Sequence, residues 1–278
     1  MRILNGRELA EFIKERQARM VRALRQAQGV QPRLAILVSK QASADETVGN
    51  PVIDVYVRLK RAYAEDILIE CDVIECADAD MATRIDELNI DPSVHGIIVQ
   101  LPLADPSLTD EIVARITPSK DVDGLGSRTF FTSATATAID WLLAGYNVTL
   151  KEKRLTLVGN GRLVGAPLAE LWRGNGLEPT VLDDTTTDLS THLLESDVIV
   201  TATGVPSLIK SAMIAPKAVV VDAGTASENG QIVGDLADDV RERDDLTITP
   251  QKGGVGPLTI AVLFDNVIKA ATPVADQS

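Results

Sequence analysis

Leu155-Thr156-Leu157-Val158-Gly159-Asn160-Gly161-Arg162-Leu163-Val164-Gly165-Ala166-Pro167 is an apolar strand, a glycine-bearing turn and a helix start in direct succession. A turn without side chains lets backbone N–H groups approach a pyrophosphate, and the helix N-terminus behind it adds the positive end of its dipole. The glycines follow G-x-G-x-x-x-G, one residue longer than the common dinucleotide fingerprint, so a purely structural tight turn is the competing reading. The next apolar run closes on Asp183-Asp184, where a Rossmann-type site places the acid that accepts a hydrogen bond from the adenosine ribose 2′-hydroxyl. That acid repels a 2′-phosphate, and no lysine or arginine lies between Arg173 and Lys210. The pattern therefore favours NAD over NADP, against the alternative of a solvated acidic turn. Gly159, Asn160, Gly161, Arg162, Val164, Gly165, Asp183 and Asp184 form the candidate cofactor set. Thr203, Gly204 and Thr225 join it, in loops that follow two further apolar strands and are placed to line the nicotinamide side.

Outward from this stretch, strand and helix patterns alternate in both directions. After the strand over 155–158, further strands are expected over 179–182, 198–201 and 218–221, with a closing helix over 257–271. Toward the N-terminus, helices are expected over 6–28, 52–66, 81–89 and 107–116, and strands over 34–38, 67–74 and 96–99. Such alternation predicts parallel βαβ units, an α/β fold whose ligands lie at the carboxyl ends of the strands. The polar stretch after Pro118-Ser119-Lys120-Asp121-Val122-Asp123-Gly124, followed by a helical run over 137–146, marks a boundary near residue 140. The chain then reads as a first domain over 1–140 and a nucleotide-binding domain over 141–256.

Composition removes several classes of function. With 27 Lys plus Arg against 40 Asp plus Glu, the formal net charge of -13 disfavours nucleic acid and anionic membrane surfaces. No apolar run is long enough to span a bilayer and the N-terminus is polar, so a cytoplasmic protein is expected. Cys71 and Cys76 have neither disulfide-scaffold nor zinc-site spacing and read as buried thiols, and no metal site is expected. His95 and His192 have no nucleophile beside them, which leaves acid–base chemistry to Lys, Asp, Glu or Tyr.

Tyr56 and Lys60 lie four residues apart on the third expected element, so they share one helix face. The alternative is a solvated face, since Arg58 and Arg61 make the same helix polar. Gly96-Ile97-Ile98-Val99-Gln100-Leu101-Pro102-Leu103 is a buried strand ending in a glutamine at the ligand-binding edge of a parallel sheet, followed by a turn at Pro102. Lys120-Asp121-Val122-Asp123-Gly124 supplies carboxylates in a short loop, suited to paired N–H groups of a heterocycle. Gly253-Gly254-Val255-Gly256-Pro257-Leu258-Thr259 is a second glycine-rich approach to a helix, or a plain turn with a proline-initiated helix.

Tyr56-x-x-x-Lys60, GIIVQLPL at 96–103, KDVDG at 120–124, VGxP at 164–167 and TPxxGGVGPLT at 249–259, in this order, resemble the bifunctional methylenetetrahydrofolate dehydrogenase/methenyltetrahydrofolate cyclohydrolase family over nearly the whole chain. The resemblance implies an N-terminal α/β folate domain completed by the C-terminal helix 257–278. A Rossmann-like parallel-sheet domain would face it across a cleft, in a homodimer. It implies hydride transfer from 5,10-methylenetetrahydrofolate to NAD or NADP, then hydrolysis of the methenyl cation to 10-formyltetrahydrofolate. Lys60 would assist water attack and proton movement, Gln100 orient it, Tyr56 pack on the folate and Asp123 grip the pterin. Leu101, Pro102, Gly254, Gly256 and Pro257 would complete the substrate surface.

Three departures stand out. The family's G-R-S turn is Gly159-Asn160-Gly161. Its His-Ser-Arg-Thr type sequence is Asp184-Thr185-Thr186-Thr187 behind Asp183, and both changes subtract NADP-binding groups although NADP is usual in the family. Its Pro-Cys-Thr-Pro segment is Ser133-Ala134-Thr135-Ala136, which predicts a looser loop, and Leu125 and Gly126 replace an aromatic residue and a histidine. One activity alone, or a non-catalytic nucleotide-binding protein on the same scaffold, are the alternatives; retention of Lys60, Gln100 and Asp123 together argues against the latter.

Overall fold

A computed structural model of the chain describes residues 1–40, 51–228 and 231–273. In chain order the elements are β1 (Arg2–Ile3), α1 (Gly6–Ala23), β2 (Arg33–Ser39), α2 (Pro51–Ile67), β3 (Glu70–Cys76), α3 (Asp78–Ile90), β4 (Gly96–Gln100), α4 (Thr109–Ala114) and α5 (Ala134–Gly145). They continue as β5 (Leu155–Val158), α6 (Gly165–Gly174), β6 (Thr180–Leu182), α7 (Leu189–Leu194), β7 (Val198–Thr201), β8 (Val219–Asp222), β9 (Ala226–Glu228), β10 (Gln231–Val233), α8 (Asp238–Arg241), β11 (Thr247–Ile248) and α9 (Val255–Ala271). Contacts divide the chain into two compact units, one formed by Met1–Glu11 with Thr135–Thr259, the other by Phe12–Ala134 with the chain from Ile260 on.

In the unit built on Phe12–Ala134, β2 lies between β3 and β4, and both pairings are parallel. The central strand RLAILVS is buried over Leu34, Ala35, Ile36 and Leu37, which is why it reads as a continuous apolar run instead of an alternating one. One face of the sheet packs Ala35, Leu37, Ile97 and Val99 against Met81 and Ile85 of α3 and Ile112 and Val113 of α4. In α9, Phe264 stacks on Tyr63 of α2 with ring centroids 5.3 Å apart, and the Tyr63 hydroxyl donates to Oε1 of buried Gln17. The expected strand over 67–74 begins later, because Ile67 is fully buried as the last residue of α2 and Leu68 turns the chain at positive φ. Residues 274–278, expected as helix end and frayed tail, lie outside the described residues.

The other unit carries a six-stranded parallel sheet in the order β1-β11-β8-β7-β5-β6. β5 and β7 are buried at every residue. From β5 the chain moves to β6 on one side and then to β7 on the other, so the strand order reverses beside β5 and opens a crevice at its carboxyl end.

Two expectations change. The sequence assigns all of 1–140 to the first domain, yet Arg2–Ile3 pairs with Thr247–Ile248 and Leu4 N–H donates to the Ile248 carbonyl, which draws Met1–Glu11 into the second unit. The chain also passes between units inside α1, α5 and α9, not in the polar stretch after Gly124. The segment Ser133-Ala134-Thr135-Ala136 is likewise not a loose loop. It opens α5 with Ser133, Ala134 and Ala136 buried, and the Ala134 N–H donates to the Asp123 carbonyl at 3.2 Å.

Candidate active site

Helical spacing sets Tyr56 and Lys60 on one face of α2, and β4 ends at Gln100. Lys60 Nζ donates to Gln100 Oε1 at 2.7 Å. Gln100 Nε2 in turn donates to the Leu101 carbonyl at 3.2 Å, which fixes the amide so that its oxygen meets the lysine. Burial pushes the Lys60 pKa below the usual lysine value, and the negative charge of Asp123, then Cys71, opposes that shift. Asp123 shows the reciprocal effect: burial raises its pKa, Lys60 pulls it down and neighbouring Asp121 adds to the rise. Burial also raises the Tyr56 phenol. Cys71 is a half-buried thiol pushed up to about 11, mainly by burial, and Cys76 is buried; neither forms a disulfide. A lysine that gives up its proton more readily than in water is better suited to act in turn as base and acid.

The two carboxylates of Lys120-Asp121-Val122-Asp123-Gly124 divide their tasks. Asp121 is only 1% exposed and accepts N–H bonds from Gly126 at 2.8 Å and Gly124 at 3.2 Å, so it is consumed by its own loop. Asp123 is the one whose charge reaches Lys60. Lys120 Nζ donates to the Leu88 and Asp91 carbonyls, and Asn266 of α9 donates to the Val122 carbonyl at 2.9 Å. Neither Asp121 nor Asn266 is marked as a site residue by the sequence: the first is one of two acids in a short loop, the second lies 144 residues from its partner. Gly124 adopts φ +69°, and a Cβ there would sit 2.6 Å from the Phe131 carbonyl oxygen. Gly124→Ala is therefore expected to destabilise the protein by roughly 1–3 kcal/mol in denaturant unfolding and to displace the neighbouring Asp123.

Leu101 and Pro102 follow Gln100 directly across a cis peptide, with Leu101 half-buried against the unit's core. Tyr56, Lys60, Gln100, Leu101, Pro102 and Asp123 thus belong to one unit. Gly254, Gly256 and Pro257 belong to the other, where a Cβ on Gly6 would collide with the Gly254 carbonyl and the Arg7 N–H donates to the Gly253 carbonyl at 3.0 Å. A cavity of about 390 Å³ on the flank of α2, lined by Val57, Arg58, Arg61 and Val73 among others, contains none of the four polar site residues. Among the described residues no group of His, Cys, Asp and Glu is arranged to hold a metal.

The glycine turn lies at the switch point of the six-stranded sheet. Gly159 has φ +101° and passes 2.5 Å, measured from where its Cβ would be, from the Ala202 carbonyl; a Cβ on Gly165 would collide with the Gly159 carbonyl. Nothing lies within 4 Å of the position a Cβ on Gly161 would take. Two glycines close the strand, turn and helix tightly while the third leaves the turn open. Asn160, Gly161 and Arg162 are exposed, Val164 is half-buried, and Gly165 opens α6. Asp183 and Asp184 are exposed just past β6, and Asp183 Oδ1 accepts from Thr185 N–H at 3.0 Å and Thr185 Oγ1 at 2.6 Å. Thr203 and Gly204 follow β7, which lies beside β5, and Thr225 follows β8, one strand further on.

A dinucleotide cradle at a parallel-sheet switch point, together with a separate α/β unit that holds a proton-labile lysine against a glutamine, defines a nicotinamide-dependent α/β enzyme. The sequence profile "Tetrahydrofolate dehydrogenase/cyclohydrolase, catalytic domain" matches residues 4–123, and "Tetrahydrofolate dehydrogenase/cyclohydrolase, NAD(P)-binding domain" matches residues 133–275. The chain belongs to the tetrahydrofolate dehydrogenase/cyclohydrolase family. It is 36% identical to the bifunctional protein FolD of Bordetella avium, over 97% of each chain. The crystal structure of the bifunctional FolD methylenetetrahydrofolate dehydrogenase/cyclohydrolase of Campylobacter jejuni is similar with a TM-score of 0.88 and 33% identity, over 98% of each chain. The Trypanosoma brucei methylenetetrahydrofolate dehydrogenase-cyclohydrolase, complexed with NADP and an inhibitor, has a TM-score of 0.86 and 28% identity over 96% of each chain. Among the described residues no helix is long and apolar enough to cross a membrane.

Proposed function

We propose that the chain oxidises 5,10-methylenetetrahydrofolate to the methenyl cation with a nicotinamide dinucleotide, and hydrolyses that cation to 10-formyltetrahydrofolate. The observation that carries this reading is the Lys60–Gln100 hydrogen bond in the unit that matches the family's catalytic domain. When bound, the dinucleotide supplies the hydride acceptor, and Gly159, Gly161 and Gly165 would hold its pyrophosphate.

For hydrolysis, the Lys60 amine spends one N–H on Gln100 Oε1 and keeps a lone pair for a water proton. As the water oxygen bonds to the methenyl carbon, Lys60 takes one of its protons; the ammonium then passes that proton to the folate nitrogen as the ring C–N bond breaks, and the remaining hydroxyl proton leaves to solvent as the formyl C=O forms. The cationic substrate beside Lys60 adds to burial in favouring the neutral amine. Asp123 accepts pterin N–H groups while Asp121 holds its loop, and Tyr56 offers an aromatic face to the ring.

Within this reading the cofactor is NAD in preference to NADP, supported by Asp183, Asp184 and the absence of Lys or Arg from 174 to 209. A spectrophotometric assay with 5,10-methylenetetrahydrofolate and either dinucleotide, repeated with the methenyl compound alone, tests both activities. Turnover in neither assay would overturn the proposal.

The coupled charges give a pH expectation. The charge of Asp123 partly opposes the effect of burial on Lys60, so Asp123→Asn lets the neutral amine form at lower pH. The rising limb of kcat for methenyl hydrolysis is expected to move to lower pH, alongside a higher folate KM. A limb that stays in place would remove Asp123 from the control of Lys60.

A further inference from the structure

A second set of buried charges lies at the carboxyl ends of β7 and β8. Asp235 is 0% exposed, and its Oδ2 accepts from the Thr201 hydroxyl at 2.6 Å and the Thr203 N–H at 2.7 Å. Its Oδ1 is buried with no hydrogen-bond partner among the described residues. Asp222, the last residue of β8, accepts from the N–H groups of Gly224 at 3.1 Å and Asp235 at 3.0 Å and pairs with Arg241 at 3.0 Å. The loops are packed onto these acids: a Cβ on Gly224 would collide with the Asp235 carboxylate, and one on Gly234 with that of Asp222. Directly behind the Thr203-Gly204 and Gly224-Thr225 turns, the guanidinium pairs with Asp222, whose carboxyl is pushed above its usual range by burial, while Asp235 has no ion pair among the described residues.

We propose that Asp235, paired with Asp222, is a positioning residue that sets the redox-state preference of the nicotinamide site: the excess negative charge behind the turns favours the oxidised, cationic ring over the neutral reduced one. The inference rests on the reading that these two turns line the nicotinamide side. The adenosine half of the ligand is identical in both redox states, so the field acts on their ratio of affinities and not on binding as a whole. Binding of the oxidised form is favoured before hydride transfer, and release of the reduced form after it.

The experiment is titration of the full-length protein with NAD and NADH, and with NADP and NADPH if that pair is the one turned over, by calorimetry. Asp235→Asn keeps the size of the side chain and an acceptor for Thr201 and Thr203 but removes the charge. It is expected to lower the ratio Kd(reduced)/Kd(oxidised) by about tenfold, the scale of one unit charge across a turn at an effective dielectric of about 20. Thr201→Val breaks a hydrogen bond to the same carboxylate and keeps the charge, so its ratio is expected within about twofold of the parent. An unchanged ratio in Asp235→Asn, or the same shift in Thr201→Val, overturns the proposal while leaving the nucleotide site intact. If Asp235→Asn does not fold, the parent protein decides: reduced dinucleotide bound tighter than oxidised overturns the proposal, and oxidised bound as tightly or tighter supports it. Parent protein that binds neither form overturns the nucleotide reading itself.

Discussion

Lys60→Met lowers the rate of 5,10-methenyltetrahydrofolate hydrolysis by about 10²–10⁴-fold, the range that a positioned acid–base group contributes, while folate and dinucleotide binding change little. Methionine keeps the length and apolar stem of lysine, so the packing of a half-buried side chain on α2 is preserved and the lost element is the amine. The variant removes the donor to Gln100 Oε1 as well, but the Gln100 amide stays anchored through its own bond to the Leu101 carbonyl. The dehydrogenase step depends on holding the bridge carbon near the nicotinamide and on excluding water, so it is expected to retain a larger fraction of its rate. Following methenyl absorbance separates the two: the variant should accumulate the methenyl compound that the parent consumes. Hydrolysis at the parent rate would remove Lys60 from the mechanism and leave no other proton-labile amine among the assigned residues.

What makes Lys60 findable is local. The four-residue spacing from Tyr56 needs only helix geometry, and Gln100 stands out because a polar residue terminates a buried strand at the edge where parallel sheets bind ligands. The glycine turn is legible for the same reason, since strand, turn and helix follow within thirteen consecutive residues, Leu155 to Pro167. The parts that escape depend on distant pairing. β1 and β11 have two residues each, too short for any periodicity, and acquire meaning only when Arg2 lies beside Thr247. Asn266 looks like an ordinary polar interruption of an apolar helix until its amide is found on the Val122 carbonyl. Asp121 and Asp123 are indistinguishable as letters, and the fold separates them by giving the loop's N–H groups to one and the lysine's field to the other. Asp235 carries no local signal, because its partners come from β7 and β8.

Replacing Asp183 and Asp184 together by asparagine should raise the ratio of kcat/KM for NADP over NAD by about ten- to a hundredfold, from removal of repulsion between carboxylates and a 2′-phosphate across a few ångström of exposed, partly screened surface. The structure divides this effect between the two residues. Asp183 Oδ1 is occupied by Thr185 N–H and Oγ1, and the Asp183 N–H donates to Thr186 Oγ1 at 3.0 Å, so this acid shapes the turn. Those bonds hold its carboxyl below the usual carboxylate range, the Thr185 hydroxyl contributing most. Asp184, exposed beside it, makes no such bond among the described residues, so under the proposed NAD preference it is the acid a ribose hydroxyl would meet. Asp184→Asn alone should therefore give most of the change in cofactor ratio, and Asp183→Asn a smaller one together with weaker binding of both dinucleotides as the turn loosens. Because the site is exposed, the gain should shrink as ionic strength rises. The double variant gains no cation to receive the 2′-phosphate, so absolute NADP turnover should stay modest even as the ratio moves. A ratio indifferent to both substitutions would move adenosine recognition away from the end of β6 and return Asp183-Asp184 to a solvated turn.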